Sequence, residues 1–482
     1  MPLPKLNSNS LFSNSVSIFL IRFFPSVANL VVLLYYSRHL DMPTYGTYQN
    51  FWTHLYFIYP LACFGIHIFI TTYSPATVLQ LGKNLKLKYF AAYATWIAAL
   101  SIAFALLQVE SLGIGWIIPL LFMLTFTLGI VAESFIIVFK SLKTLLLINA
   151  GYAVAYLVIH KVVFDNGYSQ YALFFDLLML TIVRLVALLV VLVLSARNIK
   201  DEVAEEVRTG REIRTLWLHM GFYDALQTFS AWIDKFMVSI LLTAAASAVY
   251  VNGTQNIPFL PIILTASGSA VLIQMNKVKA KDEHSSLLLL MNHSARYLSN
   301  IVFPLMFFLI FFRYELFAVL LPGYREAVPV FFVMLFILPF RTYSFITVFQ
   351  KLHKGHLSTI GAVGELILAC ALMYPLYKWL GLPGLALSFI ISSYAQFVFY
   401  FYHISRLLQT KVYNLVPVAN WAAKLAIFIP LFSFLHYLVT SFFQTKVSLL
   451  LGIAAMMVTV LVALFIEIRS GRNGNIAQQN EI

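Results

Sequence analysis

The chain has 482 residues, 61% of them hydrophobic and 11% charged, with a mean hydropathy of +0.85. Soluble globular domains run near 25% charged, so the composition excludes them and leaves a polytopic membrane protein. The net charge of +13 is read as cytoplasmic loops facing anionic lipid, not as a nucleic-acid surface, because basic residues of membrane proteins collect there.

The N-terminal segment MPLPKLNSNSLFSNS is short and polar and lacks the cleavage pattern of a signal peptide. Apolar runs of about 20 residues follow, the length of a membrane-spanning helix rather than the 10-residue alternation of a barrel strand. About 14 spans are predicted on that length. They fall near 13–36, 47–72, 89–108, 115–139, 144–163, 171–196, 216–242, 248–275, 286–312, 327–350, 357–378, 382–405, 417–440 and 447–467. The charged segment RNIKDEVAEEVRTGREIRT (197–215) reads as a short cytoplasmic helix dividing six spans from eight, and the polar tail begins at 469. Cys63 and Cys370 sit inside apolar runs and form neither a disulfide framework nor a metal-binding spacing. With both termini in the cytoplasm, cytoplasmic loops carry 20 basic residues and the other side 6. The positive-inside rule therefore supports this orientation and the even span count.

A short echo joins the halves. SRHLDMPTYGTYQNF between spans one and two and LLTAAASAVYVNGTQ between spans seven and eight place Tyr48 and Tyr250, then Asn50 and Asn252, in matching positions. Transporters are often built from such repeats.

Charges at membrane depth cost at least about 2.5 kcal/mol each near the centre of the bilayer, so those that persist face a partner, a wet cavity or a polar cargo. The basic ones are Arg22, Arg184, Lys235, Arg296, Arg341 and Lys424; the acidic ones are Glu133, Asp176, Asp224, Asp234 and Glu365. At 100° per residue, Arg22, Pro25, Ser26 and Asn29 share a side of the first span, with Pro25 expected to bend it. Asp224, Gln227, Thr228 and Lys235 share a face of the seventh. A second reading stays open for several of these. Arg22, Asp176 and Arg296 could snorkel to headgroups, Asp234 and Lys235 could pair to hold helices together, and Glu133, close to Lys140, could be interfacial. No P-loop, GxSxG, HExxH or dinucleotide fingerprint is present, so no catalytic, metal or cofactor site is assigned.

LLYYSRHLDMPTYGTYQNFW, with its small loop and Tyr-Gly-x-Tyr, resembles the corresponding stretch of bacterial polysaccharide flippases. AWIDKFMVSILLTAAASAVYVNGTQNI resembles their second-half Asp-Lys … Tyr stretch through Asp234, Lys235 and Tyr250, with Ala248 where the family often has Gly. These O-antigen and exopolysaccharide translocases belong to the superfamily that also holds toxic-compound exporters and the lipid II flippase. The resemblance implies an all-α fold of two six-helix lobes related by a pseudo-two-fold repeat, plus two C-terminal helices. On this sequence that gives an N-lobe (1–196), a connecting segment (197–215), a C-lobe (216–405), the last two helices (406–468) and a cytoplasmic tail (469–482). It implies a multi-pass protein of the bacterial inner membrane, not an enzyme. Its cargo would be an oligosaccharide on undecaprenyl pyrophosphate, and other polysaccharide-assembly proteins would be partners. The expected cargo contacts are Arg22, Asn29, Gln227, Lys235, Arg296 and Arg341, with cations for the pyrophosphate. Asp224, Asp234 and Glu365 are expected to couple H+ or Na+. A cation-coupled multidrug or metabolite exporter of the same fold and a membrane glycan polymerase or ligase are the rival readings. The short external loops argue against the polymerase.

Overall fold

The computed structural model describes residues 8–197, 210–255, 283–343, 345–352 and 354–479. Its described residues are helices and connections, in two compact units, Met1–Ala248 and Val249–Ile482.

In the first unit, α1 (Ser8–His39) and α2 (Met42–Cys63) meet at a tight turn. Asp41 caps α2 by accepting the Thr44 N–H at 3.2 Å, and Pro43 occupies the first turn, where its missing N–H is not needed. α1 runs unbroken through Pro25. The proline frees the carbonyl four residues back, at Ile21, and Asn149 Nδ2 donates to it at 3.3 Å. α2 ends because Phe64 and Gly65 both turn left-handed, with φ of 43° and 68°. The chain resumes as α3 (Ile66–Phe69) and a 3₁₀ turn to Thr72, bent 57° from α2. There follow α4 (Pro75–Asn84), capped by Ser74, α5 (Leu87–Leu112), α6 (Ile117–Val138), α7 (Leu142–Asp165), α8 (Gln170–Arg197) and α9 (Gly210–Leu241). α1 packs on α7, α6 on α8, and α2 on both α5 and α9. The helix after the charged divider therefore packs with the first unit, although the sequence places it at the head of the C-lobe.

α9 meets the α2 break closely. A Cβ on Gly65 would lie 2.6 Å from the Gly221 nitrogen, and the Trp217 indole donates to the Phe64 carbonyl at 3.0 Å. α10 (Ala244–Gly253) begins under Gly46, whose absent side chain makes room for the Ala244 backbone. The echo positions share one fate: Tyr48 and Tyr250 are fully buried and Asn50 and Asn252 nearly so.

The second unit contains α11 (Glu283–Phe311), α12 (Arg313–Leu320), α13 (Val328–Met334), a 3₁₀ stretch Leu335–Thr342, α14 (Phe345–Lys351), α15 (Gly355–Leu380), α16 (Leu382–Leu407), α17 (Val412–Leu415), α18 (Val418–Phe442) and α19 (Thr445–Gln479). α15 and α16 form the tightest pair, because Gly361 admits the Tyr400 ring and Gly384 admits the Leu376 carbonyl. α11 packs on α18 and α19.

Ten described helices are long and apolar enough to cross a membrane, and an eleventh if α2 and its bent continuation count as one span. The difference from about 14 has three sources. α9 is 32 residues long but too polar, with His219, Asp224 and Gln227 among its apolar residues, to be counted with them. Most of 248–275 lies outside the described residues. The stretch 327–350 is broken into α13, the 3₁₀ segment around Pro339 and α14.

Candidate functional site

A cavity of about 480 Å³ opens within the first unit, walled by α1, α2, α3, α6, α7 and α8. Its polar lining includes Arg22, Asn29, His67, Glu133, Asn149 and Arg184; its aromatic lining includes Trp52, Tyr56, Tyr59, Phe126, Tyr152 and Tyr156. The volume lies within the usual range for small-ligand pockets, about 300–1,000 Å³.

The two arginines differ in circumstance. Arg184 is neutralised: its Nη2 donates to Glu133 Oε2 at 2.8 Å, and its Nε and Nη2 both donate to Asn149 Oδ1, at 3.2 and 3.0 Å. Asn149 Nδ2 donates back to Glu133 Oε1 at 2.7 Å, and the guanidinium lies 4.8 Å from the Tyr152 ring centre. Arg22 is exposed to the cavity, and among the described residues its guanidinium has no carboxylate or hydrogen-bond partner. Two arginines against one carboxylate leave the wall a net cation, and the spare charge is on Arg22. A guanidinium in this position can take a phosphate bidentately.

Beside Arg22 stands His67, whose Nε2 is 3.8 Å from Asp224 on α9. One Asp224 oxygen, Oδ2, and the His67 Nδ1 are buried without hydrogen-bond partners. Below them a polar chain leaves the cavity: Tyr156 Oη lies 3.4 Å from Asn29 Oδ1 and 2.9 Å from Tyr48 Oη, which lies 3.1 Å from His160 Nε2.

The remaining residues expected at the site are dispersed. On α9, Gln227 is exposed and Thr228 buried, so the predicted face does not share one environment, and Asp234, off that face, is buried with Lys235 at 3.3 Å. Lys235 also lies 5.6 Å from the Trp232 ring, which packs on Tyr56. In the second unit, Arg296 is held by Glu467 at 3.1 Å; the same carboxylate receives Lys424 at 3.6 Å, and Lys424 donates to Ser299 at 2.8 Å. Glu365 accepts from Ser393 Oγ and Gln396 Nε2, both at 2.6 Å, and Arg341, on the 3₁₀ segment, lies close enough for its charge to act on Glu365. The structure thus brings Arg22 and Asn29 to one cavity, sets Asp224 beside it through His67, and ties Arg296 into a helix-joining cluster. Glu133, read as a candidate interfacial residue, is part of the cavity wall.

Of the neutral residues here, the sequence marks Asn29 as a cargo contact and Tyr48 as an echo position, but it does not mark Asn149, Tyr156 and His160; for the last two the available signal is a histidine four residues after a tyrosine in an apolar run.

No protein-family model matches the chain, and no curated protein matches it in sequence. Solved structures do. A lipid II flippase, MurJ, in an inward closed conformation, is similar over 95% of this chain and 99% of its own, with a TM-score of 0.64 and 13% identity. An inward-facing multidrug-resistance transporter of the MATE family, from the MOP superfamily, covers 83% of this chain and 99% of its own, at a TM-score of 0.53 and 13% identity. A MATE transporter in complex with MaD3S covers 82% and 96%, at 0.52 and 14%. At these identities the likeness establishes the fold: an all-α, multi-pass membrane fold shared with flippases and exporters.

Proposed function

We propose that this chain is a flippase that moves an oligosaccharide on an undecaprenyl pyrophosphate carrier across the bacterial cytoplasmic membrane by alternating access, with both termini in the cytoplasm. The observation that carries this reading is the cavity of the first unit, where Arg22 offers a guanidinium with no partner among the described residues, beside Asn29 and a tyrosine-rich wall. A sugar chain cannot cross hydrocarbon and needs hydroxyl-bonding groups; a pyrophosphate needs a cation; the lipid tail can stay in the bilayer. The shared fold with a lipid II flippase supports the same reading. Lys235, Arg341 and Gln227 would contact cargo in other states of the cycle, and Arg296 would do so only by leaving Glu467. With no nucleotide motif in the sequence, the drive comes from an ion gradient or from the cargo's own gradient. In this reading Asp224, Asp234 and Glu365 would bind the H+ or Na+.

A second reading, export of a lipophilic cation, draws on the aromatic lining, since Trp and Tyr faces attract cations. The net positive wall opposes it. The deciding experiment reconstitutes the full chain in liposomes carrying a fluorescent undecaprenyl-pyrophosphate disaccharide and follows its exposure to an impermeant quencher. Protein-dependent exchange between leaflets is expected. No exchange, together with accumulation of a lipophilic dye cation by the same vesicles, would replace the flippase with the exporter.

A further inference from the structure

The buried chain behind the cavity has a definite donor order. His160 Nδ1 lies 2.7 Å from the Tyr156 carbonyl, which can only accept, so Nδ1 carries a proton. In the neutral ring Nε2 must then accept, and the Tyr48 hydroxyl at 3.1 Å donates to it. The Tyr48 oxygen in turn accepts from Tyr156 at 2.9 Å, so Tyr156 spends its one hydrogen there and not on Asn29, 3.4 Å away. Add a proton to Nε2 and every link reverses. Nε2 donates to Tyr48, Tyr48 to Tyr156, and Tyr156 to Asn29 Oδ1 in the cavity wall. Tyr36 fixes the frame by donating to the His160 carbonyl at 3.1 Å.

The surroundings suit such a site. His160, Tyr36, Tyr48 and Tyr156 are all buried. The titratable groups facing the ring are Tyr36 from α1, Tyr48 from α2 and Tyr156 on α7, with Tyr168 edge-on to Tyr36 at 5.6 Å. α8 contributes the apolar Phe174, against Tyr48. Lys161, next in sequence, is exposed and spent on Asp165 at 2.6 Å.

We propose that His160 is a proton-binding site whose charge state is relayed through Tyr48 and Tyr156 to Asn29 at the cavity wall. One proton, bound out of contact with any cargo, then decides whether the wall offers Tyr156's hydrogen to Tyr48 or to Asn29. The site stands on this hydrogen-bond geometry whatever the cavity carries, so its failure and that of the flippase reading are separable.

The test is an NMR titration of the full-length protein in nanodiscs, labelled with ¹⁵N-histidine. His160 is assigned as the resonance lost in His160→Gln. Acid is expected to convert it from the Nδ1–H tautomer to the doubly protonated ring. The protonated state uses one hydrogen bond to Asn29 that the neutral state does not. Asn29→Ala therefore lowers the midpoint by roughly 0.4–1 pH unit, the worth of one hydrogen bond. Tyr156→Phe removes one bond from the neutral state and two from the protonated one, so it lowers the midpoint by a similar amount, and the two changes together do no more than either alone. Should Asn29→Ala not fold, Tyr156→Phe, which keeps the packing, decides alone. A His160 that stays neutral down to the pH of unfolding, a midpoint indifferent to these changes, or shifts that add would each overturn the proposal.

Discussion

Arg22 and Arg184 are both arginines at membrane depth, and the sequence offers no means of ranking them. Arg184 finds Glu133 51 residues away, with Asn149 locking both, a pairing that no spacing rule reveals. Removing one partner of a buried ion pair strands the other's charge, at about 3–5 kcal/mol. Arg184→Ala should therefore lower the thermal midpoint markedly, while Arg22→Ala, which breaks no described pair, should stay within about 0.5 kcal/mol of the parent. Equal melting curves for the two variants would contradict this assignment of roles. At this scale the sequence yields the cations. It hides which of them is spare, because that depends on neutral partners such as Asn149, and on carbonyls such as Ile21 O that a proline elsewhere has freed.

Among the elements, the break at the end of α2 matters most for the site, since it sends His67 to the cavity and sets Gly65 against α9. The sequence gives no warning of it: CFGIHIF reads as continuous apolar helix, and only the left-handed Phe64–Gly65 pair bends it. Gly65→Ala meets both the positive φ and the Gly221 backbone, and should cost upwards of about 2 kcal/mol in denaturation. Gly167→Ala, with φ of 82° but open space around it, should cost only about 1 kcal/mol. The start of α2, by contrast, is legible in the motif Asp41-Met-Pro-Thr. Asp41→Ala should lose about 1 kcal/mol of cap. The Thr44 hydrogen bond holds the Asp41 carboxyl below its ordinary range. Its contribution is accordingly full above the unfolded carboxylate's pKa of about 3.9 and fades as pH falls through the lower folded value. The stability difference between parent and Asp41→Ala, measured at pH 7 and again near pH 2, should shrink toward the acid end.

For the molecule as a whole, hydropathy and loop charge carried the class, because crossing a bilayer constrains composition more tightly than any other fold requirement. They marked most of the helices. α9 is among them, at the predicted seventh span; they missed the break of 327–350 into α13, the 3₁₀ segment around Pro339 and α14. The basic residues, 20 against 6, also predict a topology. In a chain with Cys63 and Cys370 replaced, single cysteines at Lys83 and Lys354 should react with impermeant reagents only from the cytoplasmic side, and cysteines at Gly167 and Lys446 only from outside. The reverse pattern would contradict the proposed orientation, with both termini in the cytoplasm. The most direct test of the account is the leaflet-exchange rate of a fluorescent undecaprenyl-pyrophosphate disaccharide in liposomes holding parent, Arg22→Lys or Arg22→Ala protein at equal density. A cation-bearing cavity as the cargo's route predicts exchange by the parent, partial exchange with lysine and a loss of tenfold or more with alanine, about 1.4 kcal/mol. Parent-level exchange by Arg22→Ala would contradict it.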